Sequence, residues 1–202
     1  MSGEKVSKLQ SVGALPQKKI LKKVKKPLDK LKKMCYNIDR KKERNLNTMK
    51  KNLICFDMDG TIADLYNVEN WLEMLRAYDE TPYLVAKAMW NMAELNMVLN
   101  QLRANGYEIA IITWLSKDST AEYDNAVRLA KRQWLEDMGF EYDYFHGVKY
   151  GTTKANTIRK YMEHYDNAIL IDDNDKVRNG WTLGGTINPV EENIIEVLKG
   201  LL

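Results

Sequence analysis

The sequence predicts an α/β protein built on a doubly wound parallel sheet. Three observations carry that prediction. Three short runs, 53–56, 107–113 and 168–171, are almost wholly apolar, as central parallel strands are when both their faces are covered. Stretches with helical periodicity and recognisable end signals separate them. Each run also ends directly in a polar or acidic residue, where strands of such a sheet hand over to their loops.

The first run, Leu53-Ile54-Cys55-Phe56, is followed at once by Asp57-Met58-Asp59-Gly60-Thr61. About fifty residues then precede the second run, too many for one crossover helix of typical length. Residues 65–77 read as one helix with Trp71, Leu72 and Leu75 on a face. Thr81-Pro82 reads as the N-cap and first turn of another. Its stripe runs Val85, Ala88, Met92, Leu95, Leu99 and Leu102, and Gly106 ends it. The later part must pack on the sheet, leaving roughly 64–91 to form a small helical cap above the strand ends.

After the second run, Ser119 and Glu122 have capping-box spacing before Ala126, Ala130, Trp134 and Met138, and Gly139 closes that helix. A weaker strand is expected within 142–148. Thr153 can cap a helix through Ile158 and Met162. Pro189, Glu191 and Glu192 open a last helix with Ile194, Leu198 and Leu201 inward.

Charge divides the chain. Residues 1–52 hold 17 Lys and Arg against 4 Asp and Glu, while 53–202 hold 14 against 24, within a net charge of +3. The expectation is a basic, flexible N-terminal extension over 1–51 and an acidic globular domain over 52–202. Residues 1–19 lack periodicity. Leu21, Val24, Leu28 and Leu31 then mark a Lys-rich helical stripe, interrupted by Pro27. Two readings stand for this arm: contact with nucleic acid or an acidic partner, or a solvated tail. Nothing in it resembles a nucleic-acid-binding module. Two cysteines, Cys35 and Cys55, form no CxxC pair, which points to a reducing compartment, the cytoplasm. No apolar run approaches the ~18 residues of a membrane span.

The chemistry concentrates at the strand ends. A carboxylate at the end of a strand, Asp57, is a candidate nucleophile for phosphoryl transfer. A second, Asp59, can protonate a leaving oxygen and then activate water. Gly60 lets the chain leave the strand sharply. Thr113 ends the second strand, and its hydroxyl with the next N–H, that of Trp114, could bind a phosphoryl oxygen. Taken alone it is a strand-end threonine. Lys154, after Gly151-Thr152-Thr153, could neutralise phosphate, though alone it reads as a surface lysine. Asp172 and Asp173 follow the third strand. Adjacent carboxylates there are costly unless they hold a cation, and with Asp57 they make an all-oxygen set suited to Mg²⁺. Asp175 could substitute for one of them. Tyr66, Trp71, Tyr83 and Trp90 could stack on a base or simply pack. His146 and His164 match no ligand spacing.

The order DMDGT, a strand ending in Thr113, Lys154 at a helix start and a strand ending in Asp172-Asp173 resembles the four motifs of the haloacid dehalogenase (HAD) superfamily over roughly residues 52–182. Within it, the chain looks like small bacteriophage proteins and the 5'(3')-deoxyribonucleotidases. The resemblance implies a Rossmann-like core with a C1 cap, Asp57 as nucleophile and Asp59 as acid/base. It implies Thr113 and Lys154 as phosphate ligands. It places Mg²⁺ on Asp57, the backbone carbonyl of Asp59 and Asp172, with Asp173 or Asp175 in support. Gly60, Thr61, Trp114 and Trp71 are then candidate substrate contacts. Trp114 departs from the Ser or Thr that often follows the second-motif Thr. The expected function is a Mg²⁺-dependent phosphomonoesterase acting on a small ester, foremost a nucleotide. Its rivals are a phosphatase of nucleic-acid ends and a non-enzymatic interaction protein.

Overall fold

The computed structural model describes residues 51–202. The basic extension assigned to 1–51 therefore lies outside the described residues, apart from Lys51. Five parallel strands form one sheet in the order β5-β4-β1-β6-β7: β1 (Lys51–Phe56), β4 (Tyr107–Trp114), β5 (Tyr144–Val148), β6 (Tyr165–Ile171) and β7 (Thr186–Ile187). Helices cover both faces, giving a Rossmann-like α/β architecture. No helix among the described residues is long and apolar enough to cross a membrane.

Strand alternation decides what each face packs against. Ile54 and Phe56 of β1, with Ile109, Ile111, Ile169 and Ile171, face Leu95, Val98, Leu99 and Leu102 of α3 (Met92–Ala104) and Ile194 and Leu198 of α7 (Ile194–Lys199). Leu53 and Cys55, with Ala110, Ile112, Ala168 and Leu170, face Ala155 and Ile158 of α5 (Lys154–Arg159) and Trp181. The fully apolar runs are thus strands buried on both sides. β1 is central, paired with β4 and β6 (Phe56 opposite Ile111 and Ile171), which brings the ends of all three strands together.

The insert departs from two long helices. Residues 65–77 split into a 3₁₀ turn (Leu65–Asn67) and α1 (Trp71–Arg76), because Asn70 between them is left-handed, with φ of 55°. The second stripe is also interrupted. Glu80 precedes α2 (Thr81–Val85), so Thr81 is its first residue rather than its cap, and α2 stops after five residues. Lys87–Ala88 (β3) then pairs antiparallel with Ala63–Asp64 (β2), and Asn91 caps α3 by accepting from the Glu94 N–H. Two local interactions enforce the break. The Met89 N–H donates to Ile62 O at 2.9 Å, and Trp90 Nε1 donates to Thr61 O at 2.7 Å. Backbone pairing to the loop after β1 outweighs the helical period of the side chains.

Helix ends shift elsewhere by a residue or more. Thr120, not Ser119, caps α4 (Ala121–Asp137), its hydroxyl accepting from the Tyr123 N–H. Asn193 caps α7, so Pro189 to Glu192 form a turn before it rather than its first residues. Thr153 precedes α5 as expected, without a side-chain cap bond. α6 (Asp175–Asn179) and the edge strand β7 are too short for sequence periodicity to reveal.

α4 joins the core to the cap. Trp134, fully buried, donates from Nε1 to Ala86 O at 2.6 Å, at the end of α2. Tyr123, Val127 and Ala130 pack on Leu65, Leu75 and Tyr83 of the cap. Trp134→Phe keeps most of the apolar contact but orphans the buried Ala86 carbonyl, at a cost of about 1–3 kcal/mol. Denaturant unfolding measures this; a change below about 0.5 kcal/mol, the scatter expected of inert substitutions, contradicts the link.

Candidate active site

The loop after β1 is a tight turn in which the N–H groups of Thr61, Ile62 and Ala63 all point to Met58 O. It can close only at glycine. Gly60 has φ of +74°, and a Cβ there would stand 2.5 Å from Tyr66 Cε2 and 2.7 Å from Asp173 Oδ2. Gly60 therefore serves close packing of the turn against Asp173. The Thr61 hydroxyl is buried and accepts from the Asp173 N–H at 3.1 Å, tying the β1 loop to the β6 loop.

That tie gathers the acidic residues. Carboxylate oxygens of Asp57, Asp172 and Asp173 all lie within 4.8 Å of one another. Lys154, from the first turn of α5, enters with its side chain fully buried and stands 2.8 Å from Asp57 Oδ1 and 2.7 Å from Asp172 Oδ2. Its contact with Asp57 is one of charge: Oδ1 is buried and accepts no well-directed hydrogen bond among the described residues. Asp175 lies apart, 80% exposed and paired with Arg178. Arg178 also donates to Asp172 O at 2.5 Å, and the Asn174 N–H donates to Asp172 Oδ1 at 2.9 Å. Those bonds hold Asp172 in place.

Burial, with the charge of Asp57 next, lifts Asp172 to about 6 and Asp173 to about 7. Burial acts to lower Lys154, but Asp57 and Asp172 together carry it above its ordinary value. Three close carboxylates set against one ammonium, with one carboxylate oxygen lacking a directed donor, form a donor set that fits a hard divalent cation.

Asp59 faces a second lysine. Lys131, on α4, is wholly buried; its Nζ lies 2.5 Å from Asp59 Oδ2, 2.7 Å from Thr113 Oγ1 and 3.0 Å from Trp114 O. The same ammonium sits 4.6 Å from the centre of the Tyr83 ring on the cap. Burial raises Asp59 above the usual carboxylate range, opposed by Lys131. Sequence reasoning missed Lys131. The signal was present: it lies four residues after Val127 and three before Trp134, on the apolar stripe of its helix, where a lysine must find buried partners.

A cavity of about 420 Å³ opens over Asp57 and Asp59. Tyr66, Trp71 and Tyr83 of the insert line one part of it, and Trp114 and Tyr150 also contribute, with Arg76 and Lys117. Trp71 and Tyr66 meet edge to face at 5.2 Å, and Trp114 and Tyr150 pack at 5.0 Å. Trp114 Nε1 donates to Thr152 O at 2.9 Å, bracing the segment before Lys154. Trp90 is spent on Thr61 O, so of the two insert tryptophans Trp71 is the one at the cavity. The Thr113 hydroxyl is buried against Lys131. His146 packs beside Tyr161, its pKa lowered by burial, and His164 pairs with Glu163, both away from the site.

No known protein-family model matches the chain, and no curated protein does. Among solved structures, the chain is similar to a chain of a Pnkp1/Rnl/Hen1 complex (TM-score 0.46, 18% identity) and to one of the Pnkp1/Rnl/Hen1 RNA repair complex (TM-score 0.47, 17% identity). Each match covers 70% of this chain but only 46% and 43% of those chains, less than half their length. A likeness this distant concerns the chain path and says nothing of reaction or partner.

The raised Asp172 and Asp173 predict a pH dependence. Their folded values exceed the ordinary value of about 3.9, so the folded chain holds these protons more tightly than the unfolded one. Their contribution to stability is complete below about pH 4 and is lost progressively as pH rises from there through 6 to 7. In chelator, the melting temperature should fall across that window, and fall less in Asp173→Asn. Added Mg²⁺ should raise it more above the window than below it. A wild-type melting temperature that climbs through the window in chelator, unchanged by Asp173→Asn, contradicts this electrostatic account.

Proposed function

We propose that this chain is a Mg²⁺-dependent phosphomonoesterase of the haloacid dehalogenase type, working through an aspartyl phosphate on Asp57, with a nucleotide as its substrate. One observation carries the reading. Asp57, buried beside Lys154 and two further carboxylates, lies under the same cavity as Asp59, which can move a proton. A binding module has no need of four clustered carboxylates, two buried and two half-buried, which are costly to keep.

In this reading Asp57 attacks phosphorus in line, and the bond to the leaving oxygen breaks. Asp59 supplies the proton that oxygen needs, and its carboxylate then takes a proton from the water that hydrolyses the acyl phosphate. Lys154 holds Asp57 and Asp172 in place and offsets their charge. Mg²⁺ held by Asp57, Asp172 and Asp173, with the Asp59 carbonyl, would polarise the phosphoryl group and screen its charge from the carboxylates. The aromatic lining supports a base-bearing substrate, since stacking is worth about 1–3 kcal/mol per base. A second reading, hydrolysis of a terminal phosphate on a nucleic acid, is favoured by Arg76 and Lys117 beside the cavity, which could meet a neighbouring phosphate.

Asp57→Asn should abolish turnover while the chain stays folded, because the amide is nearly isosteric but a poor nucleophile. Residual activity near wild type sinks the assignment. Trp71→Ala should raise KM for nucleoside monophosphates several-fold and leave a small aryl phosphate less affected. Equal efficiency on a sugar phosphate and a nucleotide, with no effect of Trp71→Ala, counts against the nucleotide. Higher kcat/KM on a phosphate-ended oligonucleotide than on the mononucleotide favours the second reading.

A further inference from the structure

Lys131 is a part of the site that the four motifs, three at strand ends and one at a helix start, leave unassigned. It rises from the middle of α4, is 0% exposed, and contacts Asp59, Thr113, Trp114 and the Tyr83 ring. A side chain so enclosed does not reach the cavity. Its partners do: Asp59, Tyr83 and Trp114 all line it.

We propose that Lys131 is a positioning residue for Asp59, fixing which carboxylate oxygen faces the substrate. The proposal rests on the phosphomonoesterase reading above. The geometry makes the two oxygens of Asp59 unlike. Oδ2 accepts from the Lys131 ammonium at 2.5 Å, which leaves Oδ1 for the cavity. The oxygen that accepts from an ammonium is the less basic of the two, so the transferable proton belongs on Oδ1. As the Asp57 oxygen bonds to phosphorus, the phosphorus–oxygen bond to the leaving group breaks with its electron pair on the leaving oxygen. That oxygen takes the Oδ1 proton, and Lys131 is already placed to stabilise the carboxylate left behind.

Lys131 is itself held from three further directions. The Thr113 hydroxyl and Trp114 carbonyl accept two more of its hydrogen bonds, using all three donors with Asp59. The Tyr83 ring covers the ammonium from the cap. Thr113 thus contributes through Lys131, since its hydroxyl is buried and turned to the lysine. A lysine fixed in this way holds a carboxylate to a narrower range of angles than a solvated one could.

A positioning role and a purely structural one differ in how they depend on the leaving group. An aryl phosphate whose phenolate leaves readily needs little proton transfer, whereas an alkyl phosphate needs it fully. The test compares wild type, Lys131→Gln, Lys131→Arg, Asp59→Asn and Lys131→Gln/Asp59→Asn with Mg²⁺ present, on p-nitrophenyl phosphate and on a nucleoside monophosphate. Lys131→Gln should lower kcat on the nucleotide by on the order of 10²-fold, within the range of general acid–base catalysis, and on the aryl ester by less than about a tenth of that loss. In the Asp59→Asn background Lys131→Gln should add nothing further, because the group it positions is gone. Lys131→Arg should recover part of the nucleotide rate.

Equal losses on both esters, or additive losses in the double variant, overturn the proposal in favour of a structural role. Crystal structures of wild type and Lys131→Gln provide a readout independent of turnover. The Asp59 carboxylate should be rotated or spread over two orientations in the variant, and an unchanged carboxylate overturns the proposal. Wild type inactive on every ester would instead sink the phosphomonoesterase reading, while the crystallographic comparison still decides whether Lys131 orients Asp59.

Discussion

Everything at the head of this sheet depends on holding four carboxylates, two buried and two half-buried, against two fully buried lysines. Removing an ionised carboxylate from solvent costs several kcal/mol, and attraction to a buried partner returns that only when geometry is good. Lys154 stands between Asp57 and Asp172, and Lys131 meets Asp59. Each lysine comes from a helix packed on the sheet, not from a mobile loop. The charges are therefore fixed by the same contacts that build the core.

This constraint explains the division of labour among the elements. Parallel pairing of β1 with β6 sets Phe56 beside Ile171, so the acidic residues that follow both strands emerge side by side. Gly60 and Thr61 then draw the two loops to contact. α4 carries three duties on one inward surface: Trp134 anchors Ala86, Lys131 holds Asp59, and Tyr123, Val127 and Ala130 seat the cap. The cap and the proton-handling carboxylate are thereby fastened to one helix. Cap packing and site geometry are coupled through Tyr83, which lies both over Lys131 and against the cavity.

The sheet was legible in the sequence because its strands are buried on both faces and read as unbroken apolar runs. The strand-end residues were legible for a related reason: Asp57, Asp172 and Asp173 follow such runs directly, where an acidic residue has no ordinary packing role. What escaped notice depends on contacts remote in sequence. The stripe from Val85 to Leu102 reads as one helix, yet Trp90 and Met89 bond to the loop at Thr61 and Ile62 and break it. Periodicity cannot register a hydrogen bond across 29 residues. Lys131 was hidden in the same way, since its meaning lies in Asp59, 72 residues earlier. The choice between Asp173 and Asp175 also waited on geometry, with Arg178 drawing Asp175 outward.

In the proposed reaction Asp57 becomes covalently phosphorylated. A rapid acid quench of the 202-residue chain turning over a nucleoside monophosphate with Mg²⁺, followed by peptide mass spectrometry, tests this. One phosphoryl group is expected on the peptide containing Asp57, stable in acid, removed by hydroxylamine as an acyl phosphate is, and absent from Asp57→Asn. Turnover with no phosphoryl group trapped at any quench time, or with the label on another residue, would contradict it.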